Sequence, residues 1–231
     1  MRKYRELFVV ISFIMLFSLI PKLISFDTNK NISVVLNNIS YPVIILDAGH
    51  GGYDPGAVTE GVYEKDINLS ITKKLNEMFL CFGLNTVLTR IDDNALNDLN
   101  VSNKKQSDLN NRLKIINSEN NAILISLHQN MFSESRYFGS QVFYNSLSGS
   151  KELADIVQDN IVKYLQRNNH RVSKSGDYLY LLKNSKQVSI MLECGFMSNK
   201  NELQLLLDEG YQKKLSYLVC VSVYDYINSS T

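Results

Sequence analysis

The chain has 231 residues, of which 45% are hydrophobic, and its formal net charge is +1 at pH 7. This length accommodates one domain of ordinary size, and the apolar fraction is typical of a globular core. A net charge close to zero gives no electrostatic basis for binding nucleic acid, so the composition argues against that class of function.

The N-terminal segment has the composition of an export signal. Three basic residues within the first five positions precede Leu7–Ile20, which is almost wholly apolar. Such a start predicts a signal peptide or an uncleaved membrane anchor over residues 1–25, and therefore an exported protein that is secreted or held at the membrane. Residues 26–41 are polar and rich in asparagine, which predicts a linker, and residues 42–231 are predicted to form the one folded domain.

Beyond this linker, predicted strands and helices alternate along the chain. Short runs rich in Val, Ile and Leu indicate buried strands, and apolar residues at helical spacing indicate amphipathic helices. The predicted strands are Val43–Leu46, Thr86–Thr89, Ala122–Leu127, Gln141–Tyr144, Tyr178–Leu182 and Ser189–Glu193. The predicted helices are Glu64–Cys81, Ser107–Asn117, Lys151–Gln166, Lys200–Asp208 and Tyr211–Ile227. This order predicts an α/β fold, with a mostly parallel twisted sheet and helices on both faces.

The cysteines do not indicate a disulfide-stabilised fold. Cys81, Cys194 and Cys220 are an odd set, and their spacing matches neither a disulfide framework nor a zinc motif. A domain of this size does not need disulfides for stability, so all three are expected to be buried thiols.

Three of the buried strands lead into residues that can bind a metal ion or transfer a proton. His50 follows the first strand, His128 follows the third, and Glu193 ends the last. Ligands of parallel sheets bind beyond the carboxyl ends of the strands, so these side chains should meet at one edge. A single histidine in a turn is more often a surface or capping residue, and the predicted convergence is what favours a site. The remaining histidine, His170, lies in a polar run that indicates a solvated loop.

A catalytic zinc ion needs three protein ligands and one open position. His50 and His128 supply two imidazoles, and Glu64 is the best third candidate because its helix must begin near the end of the first strand. Glu193 is then available as a general base towards water and as an acid towards the leaving nitrogen. Cys194 should point to the opposite face of its strand, which makes it a poor ligand.

Four ordered segments carry these candidate residues. They are Leu46-Asp47-Ala48-Gly49-His50-Gly51-Gly52, Glu64-Lys65-Asp66-Ile67-Asn68-Leu69, Ser126-Leu127-His128-Gln129-Asn130 and Glu193-Cys194-Gly195-Phe196. Together they resemble the signature blocks of zinc-dependent N-acetylmuramoyl-L-alanine amidases, and the resemblance extends from Val43 to the C-terminus. It implies zinc ligands at His50, Glu64 and His128 and a catalytic glutamate at Glu193. Four motifs in order are a far more specific signal than one.

Three further residues can be assigned from the same resemblance. Arg90, in the pair Thr89-Arg90, and Asn130 are expected to contact substrate. Gln129 departs from the family pattern, in which many members carry a small residue, and is expected to crowd the site or to contact substrate.

The bare catalytic domain, the N-terminal anchor and the segment Tyr178–Lys183 are most similar to the spore-cortex amidases of endospore-forming bacteria, the CwlD type. This similarity implies removal of stem peptides from muramic acid, on the way to muramic-δ-lactam, between the membranes that surround the forespore. The expected partners are peptidoglycan glycan strands with stem peptides, the membrane through the N-terminal segment, and an accessory envelope protein. The accessory protein is expected because ordering the glycine-rich loop Gly51–Gly56 and the polar stretch Asp92–Lys105 beside the site costs conformational entropy.

Two alternative functions are compatible with parts of the same sequence pattern. One is a zinc carboxypeptidase or endopeptidase acting on the stem peptide, which a pocket of Lys or Arg side chains for a terminal carboxylate would favour. The other is a non-catalytic, membrane-anchored module that binds the cell wall. All four chemical positions are intact in the sequence, which argues against the second alternative.

Overall fold

The computed structural model describes residues 41–229, so the predicted signal or anchor, nearly all of the predicted linker and the last two residues lie outside it. The strands are β1 (Val43–Ala48), β2 (Val58–Thr59), β3 (Val62–Tyr63), β4 (Thr86–Leu88), β5 (Ala122–Asn130), β6 (Gln141–Tyr144), β7 (Lys174–Ser175) and β8 (Val188–Phe196). The helices are α1 (Glu64–Cys81), α2 (Lys104–Ile116), α3 (Ser150–Tyr164), α4 (Tyr180–Asn184), α5 (Lys200–Leu207) and α6 (Glu209–Ser229). Within residues 41–229, none of these helices has the length and apolar character that a membrane span requires.

One six-stranded sheet organises the domain, in the order β4-β1-β5-β8-β6-β7. The central strands β4, β1, β5 and β8 are parallel, and β6 runs antiparallel to β8. Strands β2 and β3 form a separate short hairpin. The predicted α/β class and mostly parallel sheet are confirmed.

Helices cover the two faces of the sheet unequally. The larger core lies on the face covered by α1, α3, α5 and α6, and includes Ile44, Ile125 and Leu192 from the central strands. The smaller core lies on the other face, where Ile45 and Leu124 pack against α2 and α4. Because the central strands are buried on both faces, their sequences are continuous apolar runs, as parallel strands require. The thin cover on the second face leaves room there for a site.

The first helix shows why its boundaries could be read from the sequence. Its residues Ile67, Ile71, Leu75 and Phe79 recur at helical spacing and are all buried. The chain leaves the helix through Gly83, whose φ of +76° is a left-handed conformation that glycine adopts without strain. The predicted range Glu64–Cys81 is confirmed.

The predicted strand Tyr178–Leu182 is wrong, because this segment forms α4. The edge position beside β6 is taken by Lys174–Ser175 instead. A turn then follows, in which the N–H of Leu179 donates to the carbonyl of Gly176, and helical bonding begins with the N–H of Lys183 donating to Leu179. A short apolar run fits a strand and one helical turn equally well, so periodicity could not separate them.

Two other expectations need correction. Strands β5 and β8 each extend three residues further at the C-terminal end than predicted, so His128 lies within its strand and not beyond it, and Glu193 does not end its strand. Cys81 is exposed, whereas Cys194 and Cys220 are buried thiols as expected. Cys194 faces the larger core, which confirms that it points away from the predicted site.

A buried ion pair joins the strand ends on the thinly covered face. Arg112 of α2 donates to Asp47 Oδ1 at 2.7 Å and to Asp108 Oδ2 at 2.7 Å, and both Arg112 and Asp47 are almost completely shielded from water. Asp47 also accepts hydrogen bonds from Thr89 and Ser126, each at 2.7 Å. Although burial opposes it, the positive charge of Arg112 and the hydrogen bonds from Ser126 and Arg112 lower the pKa of Asp47 to about 2.

We predict that Arg112→Met lowers the free energy of unfolding by ~3–5 kcal/mol, because it leaves the carboxylate of Asp47 buried and uncompensated. Chemical denaturation at neutral pH measures the change. The control is Lys151→Met, which breaks an exposed ion pair with Asp155 and should leave stability close to that of the unmodified protein. Equal stability of Arg112→Met and Lys151→Met would contradict this role for the buried pair.

Candidate active site

The loop after β1 brings His50 against the end of β5. The N–H of Gly49 donates to the carbonyl of Leu127 at 3.0 Å, which continues the pairing of the two strands into the loop. Position 49 must be glycine, because a Cβ atom there would lie 2.2 Å from the His128 ring. His50 itself has a φ of +62°, an uncommon conformation for a side-chain-bearing residue and one typical of functional turns.

Hydrogen bonds fix the orientation of the His50 ring. Its Nδ1 lies 2.9 Å from Asp54 Oδ2, and its Nε2 lies 3.3 Å from Glu64 Oε2. Its backbone carbonyl accepts a hydrogen bond from Arg112. Binding of one ring nitrogen by a carboxylate is the usual arrangement when the other nitrogen is a metal ligand.

Glu64, the first residue of α1, is the most heavily bonded carboxylate of the cluster. The N–H of Ala57 donates to Oε2 at 2.8 Å, while Oε1 accepts from the N–H of Gln129 at 3.0 Å and from the side chain of Asn68 at 3.2 Å. His128 Nδ1 lies 3.0 Å from Oε1. Burial alone would raise the pKa of Glu64, but the hydrogen bonds and charges of His128 and His50 hold it well below its ordinary value. These contacts favour the ionised form of Glu64.

His50, Glu64 and His128 form a set of potential metal ligands, with one ligand atom from each lying within 4.8 Å of the others. The centroids of the two imidazole rings are 4.9 Å apart. Two imidazoles with one carboxylate are a donor set that zinc hydrolases use. Asp54 on His50, and the three donors on Glu64, supply the outer hydrogen bonds that orient such ligands. The residues fit a zinc ion on both counts.

Glu193 stands beside this cluster in a different environment. It is the register partner of His128 across the parallel pair β5–β8, so both side chains lie on the same face of the sheet. Its Oε2 is buried and has no hydrogen-bond partner among the described residues. Burial raises the pKa of Glu193 to about 7, against an opposing effect from His128. A carboxyl group with this pKa can accept a proton and donate it again near neutral pH.

The other predicted site residues lie in varied places. Arg90 is buried, and it donates to the backbone carbonyls of Ala48, Gly49, Lys65 and Asp92. Arg90 therefore stabilises the loop after β1 through backbone carbonyls. This placement does not support the expected contact with substrate.

Asn130, Gln129 and His170 lie in three different environments. Asn130 lines a cavity beside the cluster, where contact with substrate stays a prediction. Gln129 is buried, and its side chain donates to Asn68. The expectation that Gln129 crowds the site is therefore not supported. His170 is exposed, in agreement with the solvated loop that was predicted.

Sequence reasoning missed the residues that support the cluster. Asp54 orients His50, and Arg112, which is paired with Asp47, donates to the carbonyls of Ala48 and His50 on either side of Gly49. Asp54 could have been suspected from its place in the turn sequence Gly-Tyr-Asp-Pro-Gly. Arg112 carried no local signal, because a charged residue on an amphipathic helix is normally solvated.

The α/β fold and the donor set of the cluster are together typical of hydrolases with a metal site. Residues 44–225 match the family described as Amidase_3, N-acetylmuramoyl-L-alanine amidase. The chain belongs to this family, and like its members it is a hydrolase that acts on peptidoglycan.

Its relatives include solved and curated amidases. The CwlD amidase from Clostridioides difficile, solved in complex with the GerS lipoprotein, is 39% identical with a TM-score of 0.78, over 81% of this chain and 99% of that one. An N-acetylmuramoyl-L-alanine amidase from Clostridium difficile 630 is 30% identical with a TM-score of 0.71, over 83% of this chain and 99% of that one. The germination-specific N-acetylmuramoyl-L-alanine amidase of Bacillus subtilis is 31% identical over 81% of each chain. The CwlD-like type is thus supported.

We predict that His50→Ala and His128→Ala each weaken zinc binding by more than ~100-fold, because loss of even an outer hydrogen-bond partner typically costs ~10–100-fold. Isothermal titration with zinc measures the affinity, and circular dichroism verifies folding. His170→Ala, which removes an exposed histidine outside the cluster, is the matched control and should bind like the unmodified protein. Full zinc occupancy in folded His128→Ala would show that the cluster is not the metal site.

Proposed function

We propose that this protein is a zinc-dependent amidase that hydrolyses the amide between the lactyl group of muramic acid and L-alanine in spore-cortex peptidoglycan. The observation that carries the proposal is the meeting of two imidazoles and an ionised carboxylate with a second carboxyl group whose pKa is near 7. The first three groups suit a metal ion, and the fourth suits proton transfer.

His50, Glu64 and His128 would hold the zinc ion. When bound, zinc supplies Lewis acidity, which polarises a carbonyl group and makes water more acidic. Glu64 contributes a negative charge. The hydrogen bonds from Ala57, Asn68 and Gln129 hold its carboxylate in one orientation beside the two imidazoles. Asp54 holds the His50 ring in the orientation that leaves Nε2 directed at Glu64.

Glu193 would transfer the proton that the reaction requires. As a carboxylate it takes a proton from the attacking water, and as a carboxylic acid it gives that proton to the departing nitrogen of L-alanine. Its buried Oε2 carries no competing hydrogen bond from the described residues, so it is available for this exchange. The amide nitrogen must leave as an amine, and a neighbouring acid makes that departure possible.

The spore-cortex role rests on the relatives. The similarity extends across nearly the full length of the CwlD structure, and the Bacillus subtilis relative is described as germination-specific. We extend this role to the present chain, with release of stem peptides as a step towards muramic-δ-lactam. The predicted N-terminal signal or anchor over residues 1–25 would place the enzyme outside the cytoplasm, between the forespore membranes.

The catalytic role of Glu193 has a direct test. Glu193→Gln keeps the shape of the side chain but cannot accept the proton, so turnover of purified peptidoglycan should fall by roughly 10²–10⁴-fold while zinc binding is retained. Mass spectrometry of the products follows free L-alanyl peptides and peptide-free muramic acid. Near-normal rates in Glu193→Gln would remove it as the base. Release of D-alanine or of internal peptide fragments by the unmodified enzyme would favour the carboxypeptidase or endopeptidase alternative.

An accessory protein is the second part of the proposal, since the CwlD structure contains a lipoprotein partner. The N–H of Gly52 donates to Asp93, and the Lys65 ammonium donates to both the Gly52 carbonyl and Asp93. The loop beside His50 is therefore hydrogen-bonded to the stretch that begins at Asp92. Those contacts lie partly at the surface. A partner that covers them would order the loop and raise zinc affinity by removing an entropic cost.

This proposal predicts a higher zinc affinity and turnover when the purified chain is mixed with envelope extract from sporulating cells than when it is alone. The control is extract from vegetative cells of the same strain. Tight stoichiometric zinc binding and full turnover by the chain alone, with no gain from either extract, would rule the accessory protein out.

A further inference from the structure

A cavity of about 290 Å³ lies next to the catalytic cluster. Its walls are mainly aromatic and include Phe132, Tyr137, Phe143 and Phe196. The ring centroids of Phe132 and Tyr137 are 5.2 Å apart, and those of Tyr137 and Phe196 are 6.3 Å apart. The cavity is therefore lined by rings that support one another, and we call it the aromatic cavity.

The aromatic cavity lies beside the proposed site of proton transfer. Gln141 of β6, which lines it, is the register partner of Glu193 across the antiparallel pair β6–β8. Residues directly opposite in such a pair have Cα atoms about 4.5–5.5 Å apart and point to the same face. Asn130, on the other side, follows His128 by two residues on β5. A substrate held at Glu193 must extend close to this cavity.

Gln141 carries an unused hydrogen-bond acceptor. The side chain is buried, and its Nε2 donates to the carbonyl of Val172, which fixes which end is the oxygen. Its Oε1 is buried and has no partner among the described residues. Leaving a buried acceptor without a donor costs free energy, and an N–H group of a bound molecule would recover it.

Two cations line the same cavity. Arg171 stacks on the Phe196 ring, with 4.7 Å between the guanidinium carbon and the ring centroid, and its Nε donates to the carbonyl of Phe138. Lys174 is exposed on β7. In residues 41–229, neither side chain forms an ion pair with a carboxylate. The side chain of Glu202, whose pKa is raised by burial against the opposing charge of Arg171, already accepts the N–H groups of Gly139 and Phe196.

These features together describe a molecule with an N–H donor, a free carboxylate and apolar portions. On the proposed function, the glycan offers no carboxylate at the cleavage point, because the lactyl carboxyl group is part of the amide bond to be cut. The free carboxylates of the substrate belong to the stem peptide, which also supplies amide N–H groups. Guanidinium and ammonium groups bind carboxylates through charge-assisted hydrogen bonds.

We propose that the aromatic cavity binds the stem peptide beyond L-alanine, with Arg171 and Lys174 holding its free carboxylate and Gln141 Oε1 accepting a peptide N–H. The inference rests on the proposed amidase function, and it assigns the cavity to the peptide and not to the glycan. A basic cavity of this kind would also suit a carboxypeptidase. Here it lies beside the acid–base group of an amidase, so it selects the peptide that is released.

The test separates binding from turnover. The ligands are L-alanyl-D-glutamine, which has a free α-carboxylate and a γ-carboxamide in place of the next peptide bond, and L-alanyl-D-glutaminamide, in which the α-carboxylate is amidated as well. Titration followed by NMR measures their affinity for the full protein, and the matching muramoyl dipeptides measure kcat and KM. The variants are Lys174→Gln, which changes an exposed side chain, and the double variant Arg171→Gln/Lys174→Gln. Lys73→Gln is the control, since Lys73 is exposed on α1 at the opposite face of the sheet.

We expect the unmodified protein to bind the free acid more tightly than the amide. The double variant should lose this preference, because its affinity for the free acid falls roughly tenfold or more while its affinity for the amide is unchanged. The change should appear in KM and not in kcat, with zinc binding unchanged. Preference retained in the double variant, an equal loss on both ligands, or a loss in Lys73→Gln would overturn the assignment. An equal loss of affinity for a neutral N-acetylglucosamine oligomer in the double variant would also overturn the assignment, because it would indicate that the cavity binds the glycan.

Failure of the amidase proposal would look different. The proposed function would be refuted if the unmodified protein turned over neither muramoyl dipeptide. The cavity assignment would still be supported if the unmodified protein preferred the free carboxylate and the double variant lost this preference. Turnover of both dipeptides without any carboxylate preference would refute the cavity assignment alone.

Discussion

The buried ion pair between Asp47 and Arg112 is the constraint on which the site depends. Two charges taken out of water are tolerated only when every hydrogen-bonding group is satisfied. Here Arg112 is satisfied by Asp47, Asp108 and the carbonyls of Ala48 and His50. The same bonds that compensate its charge fix the turn that carries His50, so the energetic requirement of the core also sets the geometry of the cluster.

Two glutamates with opposite environments divide the chemistry between them. Glu64 accepts hydrogen bonds from three neighbours and lies against two imidazoles, and these contacts favour its charged form. Glu193 is the register partner of His128, which contacts Glu64, but burial without a partner on Oε2 favours the neutral form of Glu193 and raises its pKa to about 7. Such separation of two nearby carboxyl groups is what allows one to bind a cation while the other moves a proton.

The sequence was informative where local pattern and tertiary role coincide. The range of α1 followed from its apolar spacing, and the meeting of His50 and His128 followed from the rule that parallel strands end at one edge. Arg112 and Asp54 were missed because their roles exist only after distant segments come together. The helix α4 was mistaken for a strand because five residues are too few to show a period. The aromatic cavity was invisible for the same tertiary reason, since Phe132, Gln141 and Arg171 come from separate segments.

Binding of one zinc ion by His50, Glu64 and His128 beside Glu193 can be tested by anomalous diffraction at the zinc absorption edge, from crystals of the full-length protein grown with one equivalent of zinc. We predict a single strong peak about 2.0–2.2 Å from a side-chain atom of each of the three residues, with Glu193 outside the coordination shell. A peak coordinated by Glu193, or a peak that omits Glu64, would contradict the assignment of the two glutamates.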